Sequence, residues 1–238
     1  CSRILKVVNS SFYGLPGQIG SINRAIVLLG LNAVKNIAIS ASLAKLFRGG
    51  DLCPGFSARS MWQHSISTAT AAKLIADELR LGVPDEAFLA GLIHDIGVMV
   101  EMQYDREKLV EVVGRLNISR EGEPANDMLE IETEVFGANH QEFGEALCER
   151  WKFPHNFALV TGHHHNPTEL PEGSRKLTAI VYVADRLSGM REDGYRHDLV
   201  SLECDTAVLD EIGLKADRIE ELRSRLETTL DETTLMLA

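Results

Sequence analysis

Apolar residues along this chain recur at helical spacing in nearly every segment. Ile22, Ala25, Ile26 and Leu29 share one stripe behind the N-cap residue Ser21, and Gly30 closes that run. Leu31, Val34, Ile37, Ala38 and Ala41 continue the period to Phe47, while Ile4, Leu5, Val7 and Val8 predict a short helix ahead of them. Phe12–Gly20, carrying Gly14, Pro16, Gly17 and Gly20, reads as loop. The clearest break runs from Gly49-Gly50-Asp51 through Pro54-Gly55, after which Ser57 caps a long helix through Trp62 and His64 to about Leu81. Pro84 opens the next helix, with Phe88, Leu89, Leu92 and Ile93 inward and an end near His94-Asp95-Ile96-Gly97. Further helices are predicted at 98–117, 124–136, 139–152, 154–164, 174–190 and 216–236. Sustained period-two alternation is hard to find, so the pattern predicts an all-α fold: a multi-helix bundle with a smaller N-terminal helical lobe. Three parts are expected, a lobe at 1–50, a helical core at 56–190 and a C-terminal extension at 191–238.

Composition narrows the classes. The chain has 238 residues, 45% of them hydrophobic, which is enough to bury a sizeable core. No apolar run approaches the roughly 20 residues needed to cross a bilayer, so a soluble protein with no membrane partner is expected. The chain opens at Cys1 rather than Met, so further residues before it are expected, and no basic export signal is expected in the part given. Cys1, Cys53, Cys148 and Cys204 form no C-x-x-C pair, and a reducing cytoplasm fits them best. The net charge is −11, and nine acidic residues with no Lys or Arg fall between Glu121 and Glu149. That stretch reads as a solvated helix face and would repel a phosphate backbone, so nucleic acid is not an expected partner.

The sharpest chemical signal is Gly91-Leu-Ile-His-Asp-Ile-Gly-Val-Met-Val100, in which His94 and Asp95 are the only polar side chains. Burying an unpaired carboxylate costs several kcal/mol on an order-of-magnitude scale, so Asp95 should face a cation or a set of donors; a hydrogen-bonded core pair is the plainer alternative. Asp185 interrupts the apolar run Leu177–Leu187 in the same way, with Arg186 as a local ion-pair alternative. His64, His140 and the run His163-His164-His165 add imidazoles on predicted helices or at their ends. Imidazole and carboxylate without thiolate suit iron or manganese, with zinc as a further option, in a reactive site rather than a closed structural one. Histidine at a helix end can also be a solvated cap, and His163 could replace either neighbour in another register. His155 and His197 are expected at the surface, Trp62 and Trp151 in the core, and Asn9, Ser10, Phe12 and Tyr13 at a helix end and turn.

The order of these residues resembles HD-domain metal-dependent phosphohydrolases, in which an early His, an adjacent His-Asp and a late Asp hold a first metal. His64, His94, Asp95 and Asp185 match those places. The HD-GYP branch, which hydrolyses cyclic di-GMP, adds a His followed four residues later by Gly, then a His-His pair, for a second metal; His140 with Gly144, and His164-His165, match these. Across residues 1–190 the chain is more similar to the HDOD branch, through Val8-Asn-Ser-Ser-Phe-Tyr-Gly-Leu15, Ile22-Asn-Arg-Ala-Ile-Val-Leu-Leu-Gly-Leu31, Glu86-Ala-Phe-Leu-Ala-Gly-Leu-Ile-His-Asp-Ile-Gly97 and Trp151-Lys-Phe-Pro154. The resemblance implies an HD-like bundle and a regulatory module of bacterial signalling, working through a protein partner; were it a phosphohydrolase like its HD relatives, Asp95 would bridge the metals.

Departures from the pattern matter too. Val98 stands where catalytic HD proteins commonly carry Lys, the Gly-Tyr-Pro signature is missing after His165, and Ser60 stands where some HD-GYP members place a third-metal Glu. One or two divalent ions are therefore expected. A non-enzymatic role is favoured over the alternative, a phosphohydrolase acting on a nucleotide or cyclic dinucleotide, in which Asp95 would sit at the reacting centre.

Overall fold

The computed structural model describes residues 5, 9, 18–43, 51–120, 122–191 and 195–237; the predicted first helix apart from Leu5, most of the Phe12–Gly20 loop, Ser10, Phe12, Tyr13 and the segment from Ala44 through Gly50 lie outside them. Helices α1 (Ile22–Leu29) and α2 (Leu31–Leu43) turn on Gly30, at φ 84°. Ser21 caps α1 by accepting the Arg24 amide, and Asn9 braces its entry through both the amide and the carbonyl of Ile19. Ile19, Ala25, Val34 and Ile37 form a small apolar cluster of their own.

The break before the long helix contains a hairpin that the apolar pattern does not signal, β1 (Asp51–Cys53) paired antiparallel with β2 (Phe56–Ser57). It leads into α3 (Ala58–Glu78), capped by Ser57. The succession continues with α4 (Pro84–Ile93), α5 (Ile96–Tyr104), α6 (Arg106–Arg115), α7 (Met128–Phe136), α8 (His140–Arg150), α9 (His155–His163), α10 (Lys176–Gly189), α11 (Thr206–Ile212) and α12 (Ile219–Leu237). The fold is all-α apart from the small hairpin. No helix among the described residues is long and apolar enough to cross a membrane.

Two departures from the predicted elements have local causes. The helix expected over 98–117 is two helices, because Asp105 adopts an extended conformation, ends α5 and caps α6 by accepting the Glu107 and Lys108 amides. Thr206–Ile212 is a further short helix between Asp205, its cap, and Gly213, which holds a left-handed φ of 70°.

Helix α3 is the axis of the main core, with α4, α10 and α12 packed on it, while α5 and α9 pack against α8. Many of its inward residues are small: Ser65, Ser67, Thr68, Ala69, Thr70, Ala71 and Ala72 are all buried. Ser65 and Thr70 return their hydroxyls to the carbonyls of Met61 and Ile66, which makes a polar face compatible with burial. Small side chains let α4 come close, and at Gly91 a Cβ would lie 2.8 Å from the Thr68 carbonyl oxygen. Of the two tryptophans, Trp62 is buried as expected. Trp151 is not: it is 50% exposed at the end of α8, where its ring rests on Phe153 rather than in the core.

Candidate metal centre

The helix ends aim the site residues. His94 is the residue just past α4, and its Nδ1 donates to the Gly91 carbonyl at 2.8 Å; His164 stands just past α9 and donates in the same way to the Thr161 carbonyl at 3.2 Å. The last carbonyls of a helix lack partners within it, so each histidine satisfies one of them and thereby fixes its own ring. His140, the first residue of α8, directs Nδ1 to Glu132 at 2.7 Å, and the same carboxylate oxygen accepts the His140 amide. His64 sits in mid-α3 with Nδ1 3.2 Å from the Ser188 hydroxyl of α10. A hydrogen bond at Nδ1 orients each ring so that Nε2 is the atom turned to the site, the nitrogen a metal would take once it is unprotonated.

Those Nε2 atoms converge on carboxylates. His64 Nε2 lies 2.9 Å from Asp185 Oδ1 and 3.3 Å from His94 Nε2, and His94 Nε2 lies 3.2 Å from Asp95 Oδ2. On the other side, Asp95 Oδ1 is 3.2 Å from His164 Nε2 and 3.9 Å from His140 Nε2, and His140 Nε2 is 3.1 Å from His165 Nε2. Asp95 therefore faces two groups with its two oxygens: His64, His94 and Asp185 on one, His140, His164 and His165 on the other. His163 points elsewhere, half-buried with Nδ1 3.8 Å from Glu169. Arg186 does not pair with Asp185; it donates to the Glu203 and Tyr182 carbonyls and lies over the Tyr182 ring.

Two glycines make the convergence sterically feasible. A Cβ on Gly97 would sit 1.8 Å from the His140 carbonyl oxygen, so the start of α5, with Asp95 before it, touches the start of α8 directly. Gly144 packs α8 on α9 at Thr161, bringing His140 beside His164.

Asp198 joins the second group without having been singled out in the sequence, where its neighbour His197 reads as a surface residue. Both are buried, and His197 packs its ring on Tyr195, 4.4 Å between centroids. The Asp198 Oδ2 lies 3.4 Å from His165 Nε2. His155, also expected at the surface, is exposed. Glu132 was hidden in the acidic run read as a solvated face; it is buried, unlike its exposed neighbours Glu130 and Glu134.

Electrostatics follow from this burial. Desolvation opposes charge on Asp95 and Asp185, yet the surrounding histidines hold both carboxyls well below the usual range. Burial also opposes a charged His140, but Glu132 outweighs it and the ring is pushed up to about 10. His165, with imidazoles on either side, is driven well below its ordinary value by burial and by His164 and His140. Asp198, buried near Asp95 and Asp185, is pushed up to about 7. Behind His140, burial and the Glu132 carboxylate push Glu101 from 4.5 up to about 9. A carboxyl raised this way is protonated in the folded state while the unfolded chain ionises, so it destabilises the fold increasingly as pH climbs from 4.5 toward 9. Glu101→Gln is expected to flatten that decline, seen as a melting temperature that falls less than wild type's between pH 5 and 9; parallel curves would show that Glu101 is ionised in the fold.

The site suits a metal on its own chemistry. The oxygens of Asp95, Asp185 and Asp198 and the Nε2 of His164 are buried and approach one another as charges and lone pairs rather than in directed hydrogen bonds. A carboxylate–imidazole set without thiolate, its rings already oriented from behind, fits one or two divalent ions.

The chain belongs to the HDOD domain family, whose model matches residues 1–167. It is 25% identical over 189 residues to an uncharacterized protein of Treponema pallidum (strain Nichols), covering 76% of this chain and 34% of that protein, so it spans about a third of that relative's length. Its fold is that of an HDOD domain protein of unknown function from Geobacter sulfurreducens, at TM-score 0.68 and 24% identity, covering 96% of this chain and 81% of that one. It is also that of a proposed phosphohydrolase from Shewanella amazonensis SB2B, at TM-score 0.72 and 22% identity over 99% of this chain and 81% of that one. A proposed signal transduction protein from Marinobacter aquaeolei VT8 shares it at TM-score 0.75 and 23% identity, over 99% of this chain and 51% of that one.

Proposed function

We propose that this chain is a regulatory HDOD module of bacterial signal transduction that holds one or two divalent ions, iron or manganese ahead of zinc, and acts through contact with a protein partner. The observation that carries the reading is the convergence of His64, His94, Asp95 and Asp185 on one side of Asp95 and His140, His164 and His165 on the other, with every imidazole of the set except His165 anchored through Nδ1. In this role the ions tie α3, α4, α8, α10 and the end of α9 together, and metal occupancy becomes a property of the whole bundle. The lobe at 1–50, the core at 56–190 and the extension at 191–238 are the proposed divisions of that module.

A second reading, a phosphohydrolase acting on a nucleotide or cyclic dinucleotide, is favoured by the position of Asp95 between two donor groups. Bound divalent metal would supply Lewis acidity there and lower the pKa of water. The chain's own residues support the chemistry less well. His64, His94, Asp95, His140, His164, Asp185 and Asp198 are at most 9% exposed, and among the described residues the ion pairs of the three aspartates are with histidines. Val98, buried in α5, offers no cation for a phosphate.

Elemental analysis of protein purified without chelator, followed by a phosphodiesterase assay on the same sample, tests both readings. Near-stoichiometric iron or manganese without turnover is expected. Turnover would promote the hydrolase, and no metal even after reconstitution would remove the metal from both.

Glu132→Gln checks the positioning of His140. Outer-shell partners of metal-bound histidines are worth about 10–100-fold in affinity, and a loss of that size is expected for one bound equivalent, read by metal titration. Unchanged affinity for both equivalents would show that Glu132 only fills the core.

A further inference from the structure

The segment after α10 reaches back over the site, and none of the motifs that suggest metal binding includes it. A turn closed by the Leu199 amide on the Arg196 carbonyl, 3.0 Å, presents Asp198 inward. Leu199 is buried against Gly189 of α10, where the missing Cβ leaves it room, and Arg196 pairs with Glu123 at 3.1 Å from the far side. Tyr195 packs its ring 5.5 Å from that of His64 and 4.4 Å from that of His197. The segment thus lies across both donor groups, with Tyr195 against the first and Asp198 against the second. One ligand atom each from His140, His164, His165 and Asp198 fall within 4.8 Å of one another, a spacing that four donors around a single ion can share. Both Asp198 oxygens are buried and without a hydrogen-bond partner, so the segment delivers a bare carboxylate into a nest of imidazoles.

We propose that Asp198 is a ligand of the second metal, carried on a closing segment, Tyr195–Leu199, that occupies the coordination position an exogenous anion would otherwise take. The proposal rests on the metal-binding reading above and deepens it. Access to the second ion is then set by whether the C-terminal side of the chain is docked, and the ion in turn holds that segment down. A signal that displaces the segment would expose the ion, and loss of the ion would release the segment.

The test uses the full chain and Mn(II) alone, followed by free-ion electron paramagnetic resonance, on wild type, Asp198→Ala, Asp198→Asn and Leu199→Ala. Asp198→Asn keeps the volume of the side chain, and Leu199→Ala undocks the segment without removing a donor; circular dichroism confirms that each variant is folded. Wild type is expected to bind two equivalents, and each variant to bind one of them at least about tenfold more weakly. Inorganic phosphate, titrated calorimetrically into the Mn(II)-loaded proteins, is expected to bind the variants and not wild type. Two equivalents held equally by wild type and Asp198→Ala overturn the ligand, and phosphate binding to wild type as readily as to the variants overturns the closure. Wild type that takes up no Mn(II) overturns the metal site itself and this proposal with it, an outcome distinct from the other two because it appears before any substitution.

Discussion

Asp95→Ala is expected to lose metal from both halves of the site at once, because Asp95 faces both: its Oδ2 lies against His64 and His94, its Oδ1 against His140 and His164. The loss should reach stability. A ligand present at about 100 times its dissociation constant stabilises a fold by about 2.7 kcal/mol, and for a chain of this size each kcal/mol moves the melting temperature by about 2–4 °C, so a fall of about 5–10 °C per lost ion is expected. Chelator separates this from any packing effect. Wild type and variant should melt far apart when loaded and close together in chelator, where Asp95 serves only as a partner of His94 and His164. Metal content equal to wild type in the variant would remove the assignment. An equal gap in melting temperature with and without chelator would reduce Asp95 to a structural role.

How much of this was legible in the sequence depended on contrast. His94 and Asp95 stand out because every other side chain from Leu92 to Val100 is apolar, and Asp185 stands out because it follows the largely apolar Leu177–Ala184. A helical wheel converts such a residue directly into a buried one. Asp198 and Glu132 lack that contrast: one follows Arg196 and His197, the other lies among Glu130 and Glu134, and polar surroundings read as surface. Long-range packing, of α7 on α6 and α8 and of the post-α10 segment beside His165, buries them, and such contacts leave little periodic trace. Glu132 did carry a faint signal, since it directly follows Ile131 on the face of α7 that also buries Met128. Trp151 shows the opposite error, because a large apolar residue at a helix end need not face inward.

Gly97→Ala is expected to damage both the helix packing and the second donor group, although it adds a single methyl group. The new Cβ would lie 1.8 Å from the His140 carbonyl oxygen and 2.9 Å from its Cα, both backbone atoms, so no side-chain rotation relieves the clash. The starts of α5 and α8 must separate. Overpacking a core typically costs about 1–3 kcal/mol, and a clash with fixed backbone belongs at or beyond the top of that range. The movement would also carry Asp95 away from His140 and His164, so the variant should lose the second metal equivalent even where it stays folded. Gly114→Ala is the matching control: Gly114 lies within α6 with nothing inside 4 Å of the added carbon, and replacing an interior helical glycine should stabilise by up to about 1 kcal/mol. The two substitutions are chemically identical, so opposite shifts in melting temperature would isolate the α5–α8 contact as the cause. A Gly97→Ala protein as stable as wild type, with both equivalents of metal, would mean that these helices stand further apart than the contact at His140 requires.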